Sequence, residues 1–290
     1  MANTIDTMTP EAILRGIIDG SFSGSIESDQ LTSVAMHRMR GLTGLTEFNA
    51  PNATSIGGNA FNGCSNLEDA YFPNVTTIAS YAFNACSKFK AAFPAVTSNI
   101  GGNNATGAFT ETGYTSLDDS NFPNVTSLSQ QAFLRMPNLT HIHLKKVNST
   151  GVGSYGHVFN GCAQLTVAVF EALGNMLGGG NHYNNTRLTV YDGYGGAISG
   201  GSVFQGCSNL ITVILRRTDS VTTLANTSTF TGTPFASSGT GGTLYVPSAL
   251  ISSYESATNW STILGYTNNS IQAIEGSQYE NYYADGTAIE

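Results

Sequence analysis

Cys64, Cys86, Cys162 and Cys207 are the four thiols of this 290-residue chain. Thiols can pair as disulfides, hold a metal ion, or lie buried as small hydrophobes. No C-x-x-C is present, and each cysteine stands three residues before an apolar residue, in a place taken elsewhere by Leu42, Tyr114, Met136 and Asn185. That company is apolar or able to pack, so the column predicts buried thiols rather than a disulfide or a metal site. His141 and His143 alternate along one strand-like run and could chelate a metal with Asp118 or Asp119. Two histidines do not make a site, and solvated strand residues are the better reading. Gly151 to Gly156 satisfies G-x-G-x-x-G, with Glu171 at a fitting distance for a dinucleotide fingerprint. Phe159-Asn-Gly-Cys162 follows at once, leaving no long helix to present its N-terminus to a pyrophosphate, so the match reads as coincidence. No Ser-His-Asp or paired-carboxylate spacing stands out from chance. The expectation is a protein without catalytic residues, bound metal or cofactor.

The elements that carry these residues repeat. S-I-G-G-N-A-F-N-G-C-S-N-L ends at Leu67, and T-I-A-S-Y-A-F-N-A-C-S-K-F ends 22 residues later at Phe89. Anchoring on that last apolar residue gives Leu45, Leu67, Phe89, Leu117, Leu139, Leu165, Leu188, Leu210 and, by its flanks alone, Gly241. Six residues before the anchor stand Met39, Phe61, Phe83, Phe133, Phe159, Phe204 and Phe235; eleven before it stand Val34, Ile56, Ile78, Leu128, Leu177 and Phe230. In the rung ending at Leu188, the same count puts His182 in the phenylalanine column and Asn185 in the cysteine column. Longer spacings place loop insertions around 97–114, 145–155 and 216–229. A unit of this size cannot bury its apolar side alone, so stacking must supply the core. The predicted fold is an α/β repeat solenoid of about nine rungs of 22 to 23 residues, with a parallel β-sheet face and short helical caps.

After each anchor comes a strand-like run such as L-T-E-F-N-A-P, L-E-D-A-Y-F-P or L-T-H-I-H-L, with alternate side chains pointing in and out. Pro51, Pro73, Pro94, Pro123 and Pro247 lack an amide donor and should end the ladder. Thr9-Pro10-Glu11 with Ile13, Leu14, Ile17 and Ile18 reads as an N-terminal cap helix within 1–30; the solenoid fills 31–247. Pro247-Ser248 with Leu250, Ile251, Tyr254 and Trp260 reads as a closing helix in 248–290, and the tail from Gln278 is acidic and expected to be mobile.

Charged residues make up only 10% of the chain and the net charge is −8, so a basic stripe for nucleic acid is absent. No run reaches a membrane span, and Met1 to Gly20 lacks the basic start and apolar core of a secretory signal. The surface must be polar but mostly uncharged.

The phrase S-I-G-x-x-A-F-x-G-C-S-x-L followed by F-P-N-V resembles the BspA-like class of leucine-rich repeats over roughly 31–260. L-Y-V-P-S-A-L-I-S-S-Y-E-S-A-T-N-W is similar to the terminal cap that often follows such arrays. The resemblance implies adhesion, since this class comprises mainly surface adhesins and interaction modules of bacteria and some protists, with similar arrays in phage genes. The chain departs from the pattern at Leu177 to Leu188, where Phe and Cys are lost, and at Met39 and Leu42.

Residues expected to face outward from the sheet grade along the array. Glu47, Glu68, Asp69, Tyr71, Asp118 and Asp119 form an acidic end, His141 and His143 the middle, and Val167, Val169, Ile211 and Ile214 an apolar end. Exposed apolar patches usually mark contacts, so the apolar end should dock another protein or a symmetry mate, unless an inserted loop covers it. The acidic end, which bears Tyr71, and the inserted loops should meet a ligand, protein or surface glycan. The sequence thus predicts a binding protein rather than an enzyme, without membrane insertion or nucleic acid. Because a virion component needs no export signal yet faces outward, its expected setting is a phage particle, contacting a host surface or neighbouring virion proteins. A virion decoration protein and a bacterial cell-surface adhesin are the alternatives.

Overall fold

The structure is a computed structural model that describes residues 3–4, 23–97, 100, 107–152, 157–170, 175–176, 183, 185–193, 197–198 and 203–280. The segment read as an N-terminal cap helix, most of the G-x-G-x-x-G segment, and the last ten residues of the tail lie outside these.

Apart from the rung that starts at Phe89, a rung contributes a front strand, a turn at the proline column, a short back strand and a second turn that carries the phenylalanine. All strand pairs are parallel, as a helical stack of like units requires. Front strands form a four-stranded sheet that includes Gly24–Glu27, Leu45–Asn49 and Asp69–Tyr71, then a seven-stranded sheet from Ser116–Asp118 to Ser270–Ala273. Back strands form a three-stranded group ending at Thr77–Ile78 and a five-stranded group starting at Ser127–Ser129. The front plate continues past the repeat segment at both ends, through Gly24–Glu27 and Ser270–Ala273.

The core runs the length of the stack as columns of rings. Phe61, Phe83, Phe109, Phe133, Phe159, Tyr183, Phe204 and Phe230 stack in succession, with neighbouring centroids between 5.1 and 5.7 Å apart. That separation is close to the rise of one rung, so each ring lies on its counterpart and gains offset-stacking energy besides burial. Met39 begins the column, making nine rungs.

Counting back from the anchor misassigns this column twice. Tyr183, not His182, stands between Phe159 and Phe204, so this rung is one residue shorter between ring and anchor. Phe230, not Phe235, stacks on Phe204, and Leu224 takes the back-strand place assigned to Phe230. Likewise Thr112, three residues after Phe109, takes the cysteine position; its hydroxyl donates to the Phe109 carbonyl. Tyr114 instead points its buried hydroxyl at the Ala91 carbonyl, 2.6 Å away.

Short polar side chains tie each rung to the one before. After the prolines, the amides of Asn52, Asn74 and Asn124 donate to the carbonyls of Asp29, Pro51 and Pro94 at 2.8 to 2.9 Å. Thr140, Thr166 and Thr189 donate to Thr115, Thr140 and Thr166. These ladders satisfy carbonyls with neutral groups, which accounts for the scarcity of charge.

Where the chain leaves the ring column, a left-handed residue turns it: Gly63 (φ 79°), Ala85 (φ 58°) and Gly161 (φ 74°) hold the same place in their rungs. At the far end, helices Ile251–Ser256 and Trp260–Leu264 close the stack. Trp260 is fully buried against Phe230 and donates its indole N–H to the Thr222 carbonyl; Tyr254 accepts from the Thr222 amide.

Candidate functional site

Register fixes which side chains share the outer face of the front plate. One row runs Glu47, Asp69, then Ser116, His141, Val167, Val190, Thr212 and Thr243. The parallel row, two residues on, runs Asn49, Tyr71, then Asp118, His143, Val169, Asp192, Ile214 and Tyr245. Glu68 and Ile211 immediately follow their anchors and fall outside these rows; Glu68 is held by Lys88 at 3.6 Å, and Ile211 is half exposed.

Both rows break between Tyr71 and Asp118. F-K-A-A-F-P, from Phe89 to Pro94, is one residue shorter than L-E-D-A-Y-F-P before it and L-D-D-S-N-F-P after it. Aligned with its neighbours at one end, a run one residue short falls out of register at the other. Phe89 and Phe93, four apart and so on one face, are both fully buried, with Phe93 stacked between Phe72 and Phe122 at 6.0 and 5.9 Å, and the ladder between them is given up. Among the described residues, Lys90 donates to the Glu68 carbonyl, Phe93 to the Asn121 carbonyl, and Phe89 accepts from the Gly113 amide, in place of a continuous ladder.

A concavity of about 490 Å³ opens beside the break, lined by Glu47, Asn49, Asp69, Tyr71, Pro73 and Pro94 among others. Tyr71 is 58% exposed at its edge, the largest exposure of an aromatic residue among those described. Asn49 donates to Glu47 Oε1 at 2.8 Å, and the Ala70 amide donates to Asp69 Oδ1 at 2.8 Å, so both carboxylates are held in place. The groove thus joins Glu47, Asp69 and Tyr71 from the expected acidic end. Asp118 and Asp119 lie beyond the break: Asp118 accepts from Ser120, and Asp119 accepts from the Lys145 amide. His143 stands opposite Asp118 in register and His141 opposite Ser116.

The apolar end is covered by the chain's own C-terminal segment, not by an inserted loop. Val169 and Ile214 are buried with Ile274 and Tyr279 in a cluster separate from the main core, with Val167, Val190 and Tyr245 packed against it. Tyr279 meets Tyr245 edge to face at 4.7 Å. Beneath this strap Arg216 forms a bidentate pair with Asp192, Nε at 3.1 Å from both carboxylate oxygens, and donates from Nη2 to the Tyr279 carbonyl at 2.7 Å. Two expected docking residues, Val169 and Ile214, are therefore already occupied, and Tyr279, read as part of a mobile tail, is a packed residue.

The model of the BspA type leucine-rich repeat region matches in six copies over residues 32–166 and 106–211. The chain belongs to the BspA-type leucine-rich repeat family. Among solved structures it is similar to a leucine-rich repeat protein of Bacteroides ovatus, at 18% identity and TM-score 0.46 over 83% of this chain and 64% of that one. It is also similar to the T. pallidum leucine-rich repeat protein, at 18% identity and TM-score 0.45, covering 72% of this chain and 91% of that one. A leucine-rich cell surface protein of Faecalibacterium prausnitzii is similar at 16% identity and TM-score 0.33, with 92% and 83% covered. The chain thus spans about 64% of the Bacteroides protein's length. No curated protein matches.

The BspA-type cysteine column is inert chemistry. All four thiols are free and buried, and those of Cys64, Cys86 and Cys162 donate to the carbonyls of Met39, Phe61 and Phe133. Burial pushes Cys64, Cys162 and Cys207 up to about 12 and Cys86 well above its ordinary range, the last aided by the charge of Cys64. In the degenerate rung Asn185 replaces the thiol and its amide reaches the carbonyls of Cys162 and Leu165. Among the described residues no three His, Cys, Asp or Glu gather as metal ligands, and no helix is long and apolar enough to cross a membrane. The repeat fold is typically a binding scaffold.

Proposed function

We propose that this chain is a recognition protein without enzymatic activity, meeting a protein or surface glycan at the groove beside Tyr71. The observation that carries this is the large exposed ring standing over a concavity of about 490 Å³ on an otherwise regular plate. Aromatic side chains supply large contact area at low entropic cost and dominate binding hot spots. BspA-type repeats are commonly found in surface binding proteins, which supports the same reading. We place the chain on a phage particle contacting a host surface, with a bacterial surface as the alternative setting; a surface of short uncharged side chains suits either.

The test is binding of the labelled full chain to intact bacteria. Tyr71→Ala should weaken it by a factor of about 30, the scale of a hot-spot residue. Ile211→Ala, outside both rows, should leave it unchanged. Binding that is indifferent to Tyr71, or lost equally in both variants, would remove the groove from the account.

A further inference from the structure

The groove favours one class of ligand, and this inference rests on the recognition reading above. Parallel register sets Glu47 directly opposite Asp69, and both are exposed. Strand spacing brings such neighbours to roughly 5 Å, where like charges oppose each other. Among the described residues the ion pairs are Lys88 with Glu68, Arg135 with Glu111, Arg216 with Asp192 and Arg217 with Asp219. Neither Glu47 nor Asp69 takes part in any of them.

Each held carboxylate receives one hydrogen bond, on Glu47 Oε1 and Asp69 Oδ1. A carboxylate has capacity for several more. The remaining lining is largely apolar, with Pro73, Ala92 and Pro94 beside the Tyr71 ring. Paired negative charge, an aromatic face and an apolar wall are what a long cationic side chain satisfies at once. Its charged head relieves the repulsion and faces the ring, while its methylene stem covers the prolines. The net charge of −8 adds long-range attraction for such a partner.

We propose that the groove captures an arginine or lysine side chain presented by a protein partner, with the cation between Glu47 and Asp69 and against Tyr71. A neutral sugar would use the ring but leave the carboxylate pair unrelieved.

The experiment follows amide and ring shifts of the full chain by NMR during titration with acetyl-Gly-Arg-Gly-amide, acetyl-Gly-Lys-Gly-amide, acetyl-Gly-Gln-Gly-amide and cellotetraose. The two cationic peptides should bind at least about tenfold more tightly than the glutamine peptide. Glu47→Gln and Asp69→Asn should each weaken them about three- to tenfold, and Tyr71→Phe should retain binding that Tyr71→Ala loses. Raising salt should weaken the contact, because the charges are exposed. Cellotetraose binding at Tyr71 that ignores Glu47→Gln and Asp69→Asn would overturn the cationic ligand while leaving recognition at the groove intact. So would cell binding that stays Tyr71-dependent when neither cationic peptide competes. Cell binding indifferent to Tyr71 would instead overturn the recognition reading itself.

Discussion

Asp192→Asn should release the C-terminal strap without unfolding the stack. Asp192 is almost fully buried, 1% exposed at the side chain, and receives both Nε and Nη2 of Arg216, itself only 10% exposed. The substitution leaves a buried guanidinium facing a neutral amide. Removing one partner of a buried pair costs about 3 to 5 kcal/mol. The cheapest relief is hydration, and Ile274 and Tyr279 are what keep water out; their cluster is separate from the main core. Local opening, rather than global melting, should therefore take up the cost. At 1.36 kcal/mol per decade, 3 kcal/mol is a factor of about 10² in opening. Hydrogen exchange read by mass spectrometry should show amides of 274–280 speeding by that factor, including Ile274, bonded to the Val246 carbonyl. Segments 45–97 should be unaffected. Replacing both partners, Asp192→Leu with Arg216→Met, should restore most of the protection, since an apolar pair carries no desolvation penalty. Unchanged exchange in Asp192→Asn, or loss spread evenly over all rungs, would refute the reasoning.

Three further outcomes are expected. Ala85→Gly should stabilise the chain by about 0.5 to 1 kcal/mol in urea melts, because φ 58° strains an L-residue at a place where other rungs use glycine; a loss of stability would contradict this. The four thiols should resist Ellman's reagent at pH 8 in the native chain and react only on unfolding. Their stability contribution is complete below the ordinary value of 9.0 and is lost as pH rises towards about 12, because only the unfolded chain releases its protons in that window. The urea midpoint should hold up to about pH 8.5 and fall above it, and a flat profile to pH 11 would count against buried protonated thiols.

Much of this architecture was legible in the chain because columns recur. Buried cysteines, prolines ending strands at Pro51, Pro73 and Pro247, and the outward rows all follow from a period that stacking imposes. Tyr183 and Phe230 are misplaced by the sequence because counting from the anchor assumes a turn of fixed length, whereas the stretch shortens after Tyr183 and lengthens after Phe230 while each ring stays in the stack. The groove's signal in the sequence is the missing residue in F-K-A-A-F-P. Local patterning identified Val169 and Ile214 as out of place on an outer face, but not their cover. That cover comes from a segment 63 residues beyond Arg216, and no repeat period relates the two.

The strap also bears on synthesis. Rungs can settle one upon another as they leave the ribosome, each needing only its predecessor. The greasy outer surface around Val169 and Ile214 waits for residues 274–279, the last described part of the chain to emerge. A product cut short between 265 and 273 keeps the closing helices and would thus be well ordered along most of its length and still sticky at one place. Cellular surveillance could sort finished from unfinished copies by that patch alone.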